Sequence, residues 1–267
     1  IETVYAERCE TPATEVGSLS ELQRRGHEAV EFARLLRCAS ETIDPDRERG
    51  WVAGRRWTDD ATVYAPYELV GIDYRDGVGW DHAAFHMSSI GLAAHVDRDR
   101  AVLHALLEVI ENDATAAVEV FGLTERLIEA APELPGSDDL AAALERLDGA
   151  GLTARFCRLR GALDLPVLGC FVGRDVAGAK GSGVAWSAGF ACRPRVEAAA
   201  LAALLEAVQS RLTDIAGARD DILPEHFRPG GTDLGRWLPE TRLIAGGRPA
   251  AEAQAALELV AGQLRDA

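Results

Sequence analysis

Lysine is nearly absent. Lys180 is one of 28 basic residues, the rest are arginine, and 43 acidic residues oppose them for a formal charge of −15. That balance disfavours non-specific nucleic-acid binding, which needs clustered basic side chains. No apolar run reaches the roughly 18–20 residues that span a bilayer, and no signal-peptide pattern follows Ile1. Cysteines fall at 9, 38, 157, 170 and 192. Their number is odd and none forms a CxxC pair, so neither a disulfide framework nor a zinc ribbon is indicated, and a reducing cytoplasm is the simplest compartment. Missing too are a GxxxxGK(S/T) phosphate loop, a GxGxxG turn after a strand, HExxH and GxSxG. Gly178-Ala179-Lys180-Gly181-Ser182-Gly183 fits none of these spacings and reads as a surface loop. A nucleotide bound here would need carboxylate-held Mg²⁺ to manage its phosphates.

What is present is a globular composition: 267 residues, 48% apolar and 27% charged, enough for one large domain or two small ones. Ile1–Arg8 and Pro249–Ala267 read as helix without caps, so both ends are expected to lie inside structured elements. Between them the pattern predicts helices over Ser20–Cys38, Asp97–Phe121, Thr124–Ala131, Ser137–Ala150 and Arg195–Ala216. Asp97 or Asp99 caps the second of these and Gly122 ends it. Strands are predicted over Thr62–Val70, Thr153–Leu159, Pro166–Val172 and Gly183–Ala188. Asp44–Gly50, Gly77–Trp80, Gly173–Gly183 and Pro224–Gly247 read as loop or turn. The mixture predicts an α/β or α+β fold with mixed sheets.

One segment echoes another. Gly91–Glu111 matches Gly189–Gln209 at an offset of 98, with Gly91 on Gly189, Ala105-Leu106-Leu107-Glu108 on Ala203-Leu204-Leu205-Glu206, and Glu111 on Gln209. Such a pseudo-repeat predicts a glycine turn feeding a buried helix, used more than once. His104, Glu108, Glu111 and Thr115 form one polar stripe on the first of these helices, where His104 reads as an ordinary packed or surface histidine. Glu206 interrupts an apolar run on the second. A helix apolar nearly all round is buried, and a lone carboxylate inside it is costly unless a cation or hydrogen-bond donors compensate. Glu at i, i+3 is often only a solvated face. Gathering Glu108, Glu111 and Glu206 makes chemical sense where hard cations sit, and Mg²⁺ usually brings phosphates with it.

These residues resemble a known family. Ser88-Ser89-Ile90-Gly91-Leu92-Ala93-Ala94 with Ala105–Ala114 resembles the central motif of YcaO-domain proteins. Ala203–Leu212 with Gly217-Ala218-Arg219-Asp220-Asp221 resembles that family's ExxQ segment and its Gly-x-Arg-Asp-Asp tail. Trp51–Gly54 and Pro66–Val70 also fit, and Ile1–Arg8 resembles the end of the first acidic helix. The resemblance implies a single YcaO-like domain: an ATP-binding core over residues 1–222, whose first part precedes residue 1, and a Gly/Pro-rich loop with a C-terminal helix over 223–267. It implies ATP and Mg²⁺ as cofactors and O-phosphorylation of a peptide backbone amide. A Cys, Ser or Thr side chain would then give an azoline, as in a cyclodehydratase, and a sulfide source a thioamide. Glu2, Glu108, Glu111 and Glu206 would hold metal. Glu108, Glu206, Gln209, Ser89 and Arg219 would contact ATP. No catalytic residue is assigned. The partners implied are a peptide or protein substrate, a TfuA-like protein and a second copy in a homodimer. The family's proline-rich tail is not seen before Ala267, which leans towards the thioamide branch. Ile90, Val96, Arg100 and Asn112 depart from the family's usual Asn, Asn, Glu and Arg, and motivate an alternative: a catalytically degenerate subunit that binds peptide or partner protein.

Overall fold

Val167–Gly173 is apolar at nearly every position, the pattern of a strand covered on both faces. In the computed structural model it is the buried centre of a sheet. The structure describes residues 13–31, 44–57, 59–73, 81, 84–122, 128–161, 163–174, 186–216, 238–244, 258, 260 and 262. The chain forms two compact units, Ile1–Val96 and Asp97–Ala267. The expected boundary near 222, the helices at Ile1–Arg8 and Pro249–Ala267 (save 258, 260 and 262), the turn at Gly77–Trp80 and most of the loops at Gly173–Gly183 and Pro224–Gly247 lie outside the described residues.

The first unit holds β1 (Glu15–Gly17), α1 (Leu19–Arg24), β2 (Arg49–Arg55) and β3 (Thr62–Pro66), followed by a 3₁₀ turn at Tyr67–Leu69. The three strands form an antiparallel sheet in the order β1-β2-β3. The helix expected over 20–38 ends at Arg24, and residues 32–38 of that range lie outside the described residues. Ser18 and Glu21 close a capping box at its start, but Gly26 takes a positive φ of 79° and the chain turns away. Ala29 then bridges to Tyr64. The segment read as loop at 44–50 enters β2 at Arg49, and the strand expected to reach Val70 stops at Pro66. Trp51 is fully buried, its indole N–H donating to the Gly17 carbonyl at 2.9 Å.

The second unit holds α2 (Arg98–Phe121), β4 (Ile128–Ala130), β5 (Glu133–Pro135), α3 (Asp138–Gly149), β6 (Thr153–Leu159), β7 (Val167–Gly173), β8 (Trp186–Cys192), α4 (Val196–Ala216) and β9 (Arg242–Ile244). Four strands form an antiparallel sheet, β4-β6-β7-β8, and β5 pairs in parallel with β9. Side chains alternate across the sheet, as strand geometry requires. Cys157, Leu159, Val167, Phe171 and Cys192 pack with Leu107, Ile110, Ala114 and Val118 of α2. Phe156, Leu168, Cys170, Val172 and Ala191 pack with Leu140 of α3 and with Ala199, Ala203 and Leu204 of α4. The sheet is thus sandwiched between helices, the mixed α/β class expected.

Of the two cap candidates for α2 it is Asp97 that accepts from the Asp99 and Arg100 N–H groups, and Gly122 closes the helix as expected; Ser137 caps α3. The helix expected at 124–131 is not formed at 128–130, which instead pairs with β6; residues 123–127 lie outside the described residues. The echo holds for the helices, since α2 begins at Arg98 and α4 at Val196, 98 residues apart. It fails for the glycines. Gly91 sits in a turn at a φ of 82°, whereas Gly189 lies in the middle of β8. Nor are the two helices buried all round: Val109, Val120 and Phe121 of α2 and Leu205, Leu212 and Ile215 of α4 are exposed. Among the described residues no helix is long and apolar enough to cross a membrane.

Candidate functional site

β8 ends the four-stranded sheet, so alternate peptide groups along it turn away from β7. Unpaired strand edges leave backbone donors that something must satisfy. Here glutamates do so. The Phe190 N–H donates to Glu206 Oε2 at 3.3 Å, and the Cys192 N–H donates to Glu111 Oε2 at 3.0 Å. Those two donors are two residues apart, roughly 7 Å at strand rise. Glu111 comes from α2 on one face of the sheet and Glu206 from α4 on the other. The two carboxylates therefore reach the free edge from opposite faces of the sheet, on donors two residues apart.

Glycine makes this possible. A Cβ on Gly189 would lie 2.2 Å from the Ala207 nitrogen and 2.4 Å from the Ala203 oxygen. Only a bare backbone lets α4 press this closely on β8, and the contact falls on the turn that carries Glu206. The alanines Ala199, Ala200, Ala203 and Ala207 complete the close approach from the helix side.

The electrostatics follow from the geometry. Loss of water raises the Glu111 carboxyl, Glu206 and Glu108 raise it further, and it stands at about 7 although the Cys192 N–H and Arg193 pull it down. Glu206 keeps contact with solvent, yet the burial around it also pushes it above its ordinary value, opposed by the Phe190 N–H and Arg193. Glu108 lies one turn before Glu111 on the same helix and within reach of its charge.

Of the expected site residues the structure brings together Glu108, Glu111 and Glu206. Gln209 is exposed one turn further along α4. The echo pairs Glu111 with Gln209 and Glu108 with Glu206, but β8 holds Glu111 and Glu206: one member of each pair, not the matched positions. Ser89 belongs to the first unit, where it is exposed. Glu2 and Arg219 lie outside the described residues. His104 is exposed. Sequence reasoning missed Arg193, whose Nη1 donates to the Cys192 carbonyl at 2.7 Å; the signal was its place directly after a strand that ends at the acidic group. Cys157, Cys170 and Cys192 are buried and unpaired, and burial lifts the Cys157 and Cys192 thiols to about 12 and that of Cys170 upward too.

The donor set fits Mg²⁺ in a particular way. Carboxylate oxygens suit a hard cation. Among the described residues, however, no three His, Cys, Asp or Glu side chains close a metal shell by themselves. Mg²⁺ commonly takes only one or two carboxylates and completes its octahedron with phosphate and water oxygens. Two carboxylates on an open strand edge match that pattern.

A sequence model for the YcaO cyclodehydratase family, which binds ATP and Mg²⁺, matches residues 1–257. A Rhizobium leguminosarum bv. trifolii protein, named for its position in the 3′ region of tfuA, is 32% identical over 205 residues, 74% of this chain and 47% of that protein. A Methanothermobacter thermautotrophicus protein is 27% identical over 188 residues, again 47% of its length. The chain thus spans about half the length of the curated relatives it matches. The structure of YcaO from Methanopyrus kandleri, bound with AMPPCP and Mg²⁺, superposes with a TM-score of 0.60 at 23% identity, over 92% of this chain and 65% of that one. A heterocyclase in complex with substrate and cofactor gives 0.67 at 15% identity, over 94% and 36%.

Proposed function

We propose, from the premise that this chain belongs to the YcaO family, that it takes part in Mg-ATP-dependent activation of a peptide backbone amide, and specifically in thioamide formation alongside a TfuA-like partner. The observation that carries the reading is the convergence of Glu111 and Glu206 on the free edge of β8. Bound Mg-ATP would supply the phosphoryl group that makes the amide oxygen a good leaving group. The chain's own part is to hold and orient. Glu206 and Glu111, steered by the Phe190 and Cys192 N–H groups, present oxygens to the metal, with Glu108 one turn away. Gln209, Ser89, Arg219 and Glu2 join this reading through the family resemblance. The kinship with a protein of the tfuA 3′ region supports the thioamide branch over azoline formation.

The test is thermal. A ligand that binds only the folded state raises the melting temperature by mass action. A nonhydrolysable ATP analogue with Mg²⁺ is expected to protect the wild-type protein, and the same analogue in EDTA is not. Glu206→Gln and Glu111→Gln are expected to remove the protection. No shift in the wild type at millimolar Mg-ATP overturns the reading. Incubation with a peptide substrate, ATP and sulfide then separates the branches by mass: exchange of oxygen for sulfur marks a thioamide, loss of water an azoline.

A second reading, a subunit that binds without turnover, has its own support. Val96 and Arg100 are exposed, and the Asn112 amide is spent on the Glu108 carbonyl at 3.0 Å within its own helix. On this reading Ile90→Asn, Val96→Asn, Arg100→Glu and Asn112→Arg together create ATP hydrolysis where the unmodified protein has none. Turnover by the unmodified protein overturns it.

A further inference from the structure

The edge of β8 positions a cation as well as two carboxylates. Cys192 turns both its peptide groups away from β7. Its N–H holds Glu111 and its carbonyl accepts the Arg193 guanidinium. The backbone of Arg193 is fixed in turn, its N–H donating to the Pro166 carbonyl at 3.4 Å. The guanidinium is therefore held at the end of the strand, on the carbonyl of the residue whose N–H holds Glu111. Its charge reaches Glu111, Glu206 and Cys192 alike. Arg195, two residues on, is committed elsewhere, to the buried Glu197 at 2.7 Å.

A metal ion held by Glu111 and Glu206 would repel this guanidinium. The arrangement becomes attractive once an anion lies between the two positive charges. Arginine offers five N–H donors in a planar fork suited to phosphate oxygens, and one nitrogen here is spent on the Cys192 carbonyl. Resting on the Mg-ATP reading above, we propose that Arg193 is a phosphate-contacting residue of this site, meeting the terminal phosphate of a nucleoside triphosphate that arrives with the metal. The strand edge then presents both halves of one recognition element: carboxylates for the metal and a guanidinium for the phosphate.

The experiment is calorimetric titration of the protein with Mg-AMPPCP, Mg-ADP and Mg²⁺ alone. It compares wild type, Arg193→Gln, Arg193→Lys and a control, Arg158→Gln, at an exposed position on β6. Loss of a charge-assisted contact predicts that Arg193→Gln weakens Mg-AMPPCP about tenfold or more. Mg-ADP is expected to weaken less, and Mg²⁺ alone not at all. Arg193→Lys keeps the charge without the fork and is expected to fall between, which also answers for a glutamine variant that fails to fold. Arg158→Gln is expected to match wild type. Equal Mg-AMPPCP affinity in wild type and Arg193→Gln overturns the proposal. So does tighter binding of Mg²⁺ alone with Mg-AMPPCP unchanged, which would make Arg193 a resident counter-ion instead. A wild type that binds no Mg-AMPPCP sinks the Mg-ATP reading itself, and the wild-type arm alone reveals that failure.

Discussion

Glu111 carries a penalty in the metal-free protein. Burial and the neighbouring Glu206 and Glu108 push its carboxyl up to about 7 from an ordinary 4.5. Between these values the folded protein holds a proton that the unfolded chain has released. Folding stability changes with pH as the difference in protons bound, so it falls as pH rises through that window. The contribution is present in full below about 4.5 and is lost as pH passes about 7. Metal reverses the sign, because it binds the ionised carboxylate. In EDTA, then, the melting temperature is expected to decline from pH 5 to pH 7 more steeply for the wild type than for Glu111→Gln. With Mg²⁺ present the protection should grow over the same range. Parallel slopes for the two proteins in EDTA would show that Glu111 is not the group responsible.

At the scale of elements the decisive contact is α4 on β8. Gly189→Ala sets a methyl against the helix backbone at Ala203 and Ala207. Backbone cannot rotate out of the way like a side chain, so α4 must lift. Overpacking of this kind costs about 1–3 kcal/mol. Chemical denaturation is expected to show that loss, and Mg-nucleotide protection should vanish with it because Glu206 no longer reaches the Phe190 N–H. A variant as stable as wild type would mean that the helix has slack at this point. The same contact explains what could be read in advance. Caps at Asp97 and Gly122 are local chemistry and were legible, as were the apolar runs of β6 and β7. The pairing of three-residue β5 with β9, Glu133 opposite Arg242, joins segments far apart in the chain and left no local trace. Residues 128–130 carry helix-forming leucine and glutamate nearby, yet pairing with β6 overrides that propensity. An acid inside the apolar run of α4 was legible as an anomaly, although Glu206 itself keeps contact with solvent. That β8 selects Glu111 and Glu206, rather than the pair the echo aligns, depends on which peptide groups face the free edge, and no sequence pattern states that.

Across the whole molecule the excess of acid acts everywhere at once. A formal charge of −15 means self-repulsion in the folded state, which screening relieves. Raising NaCl towards 0.15 M shortens the Debye length to about 8 Å, and the melting temperature is expected to rise with it. Mg²⁺ screens as well, so a rise on adding it proves nothing by itself. The distinction comes from matching ionic strength. Screening depends on the ionic atmosphere and is indifferent to any single side chain; a bound ion depends on the few oxygens that hold it. At equal ionic strength Mg²⁺ is expected to raise the wild-type melting temperature beyond NaCl once AMPPCP is present to complete its coordination. Glu206→Gln should keep the response to NaCl and lose the excess due to Mg²⁺. If NaCl at matched ionic strength reproduces the whole effect of Mg²⁺ with AMPPCP in the wild type, the edge of β8 holds no metal. Its glutamates would then serve only to satisfy the exposed donors of an edge strand.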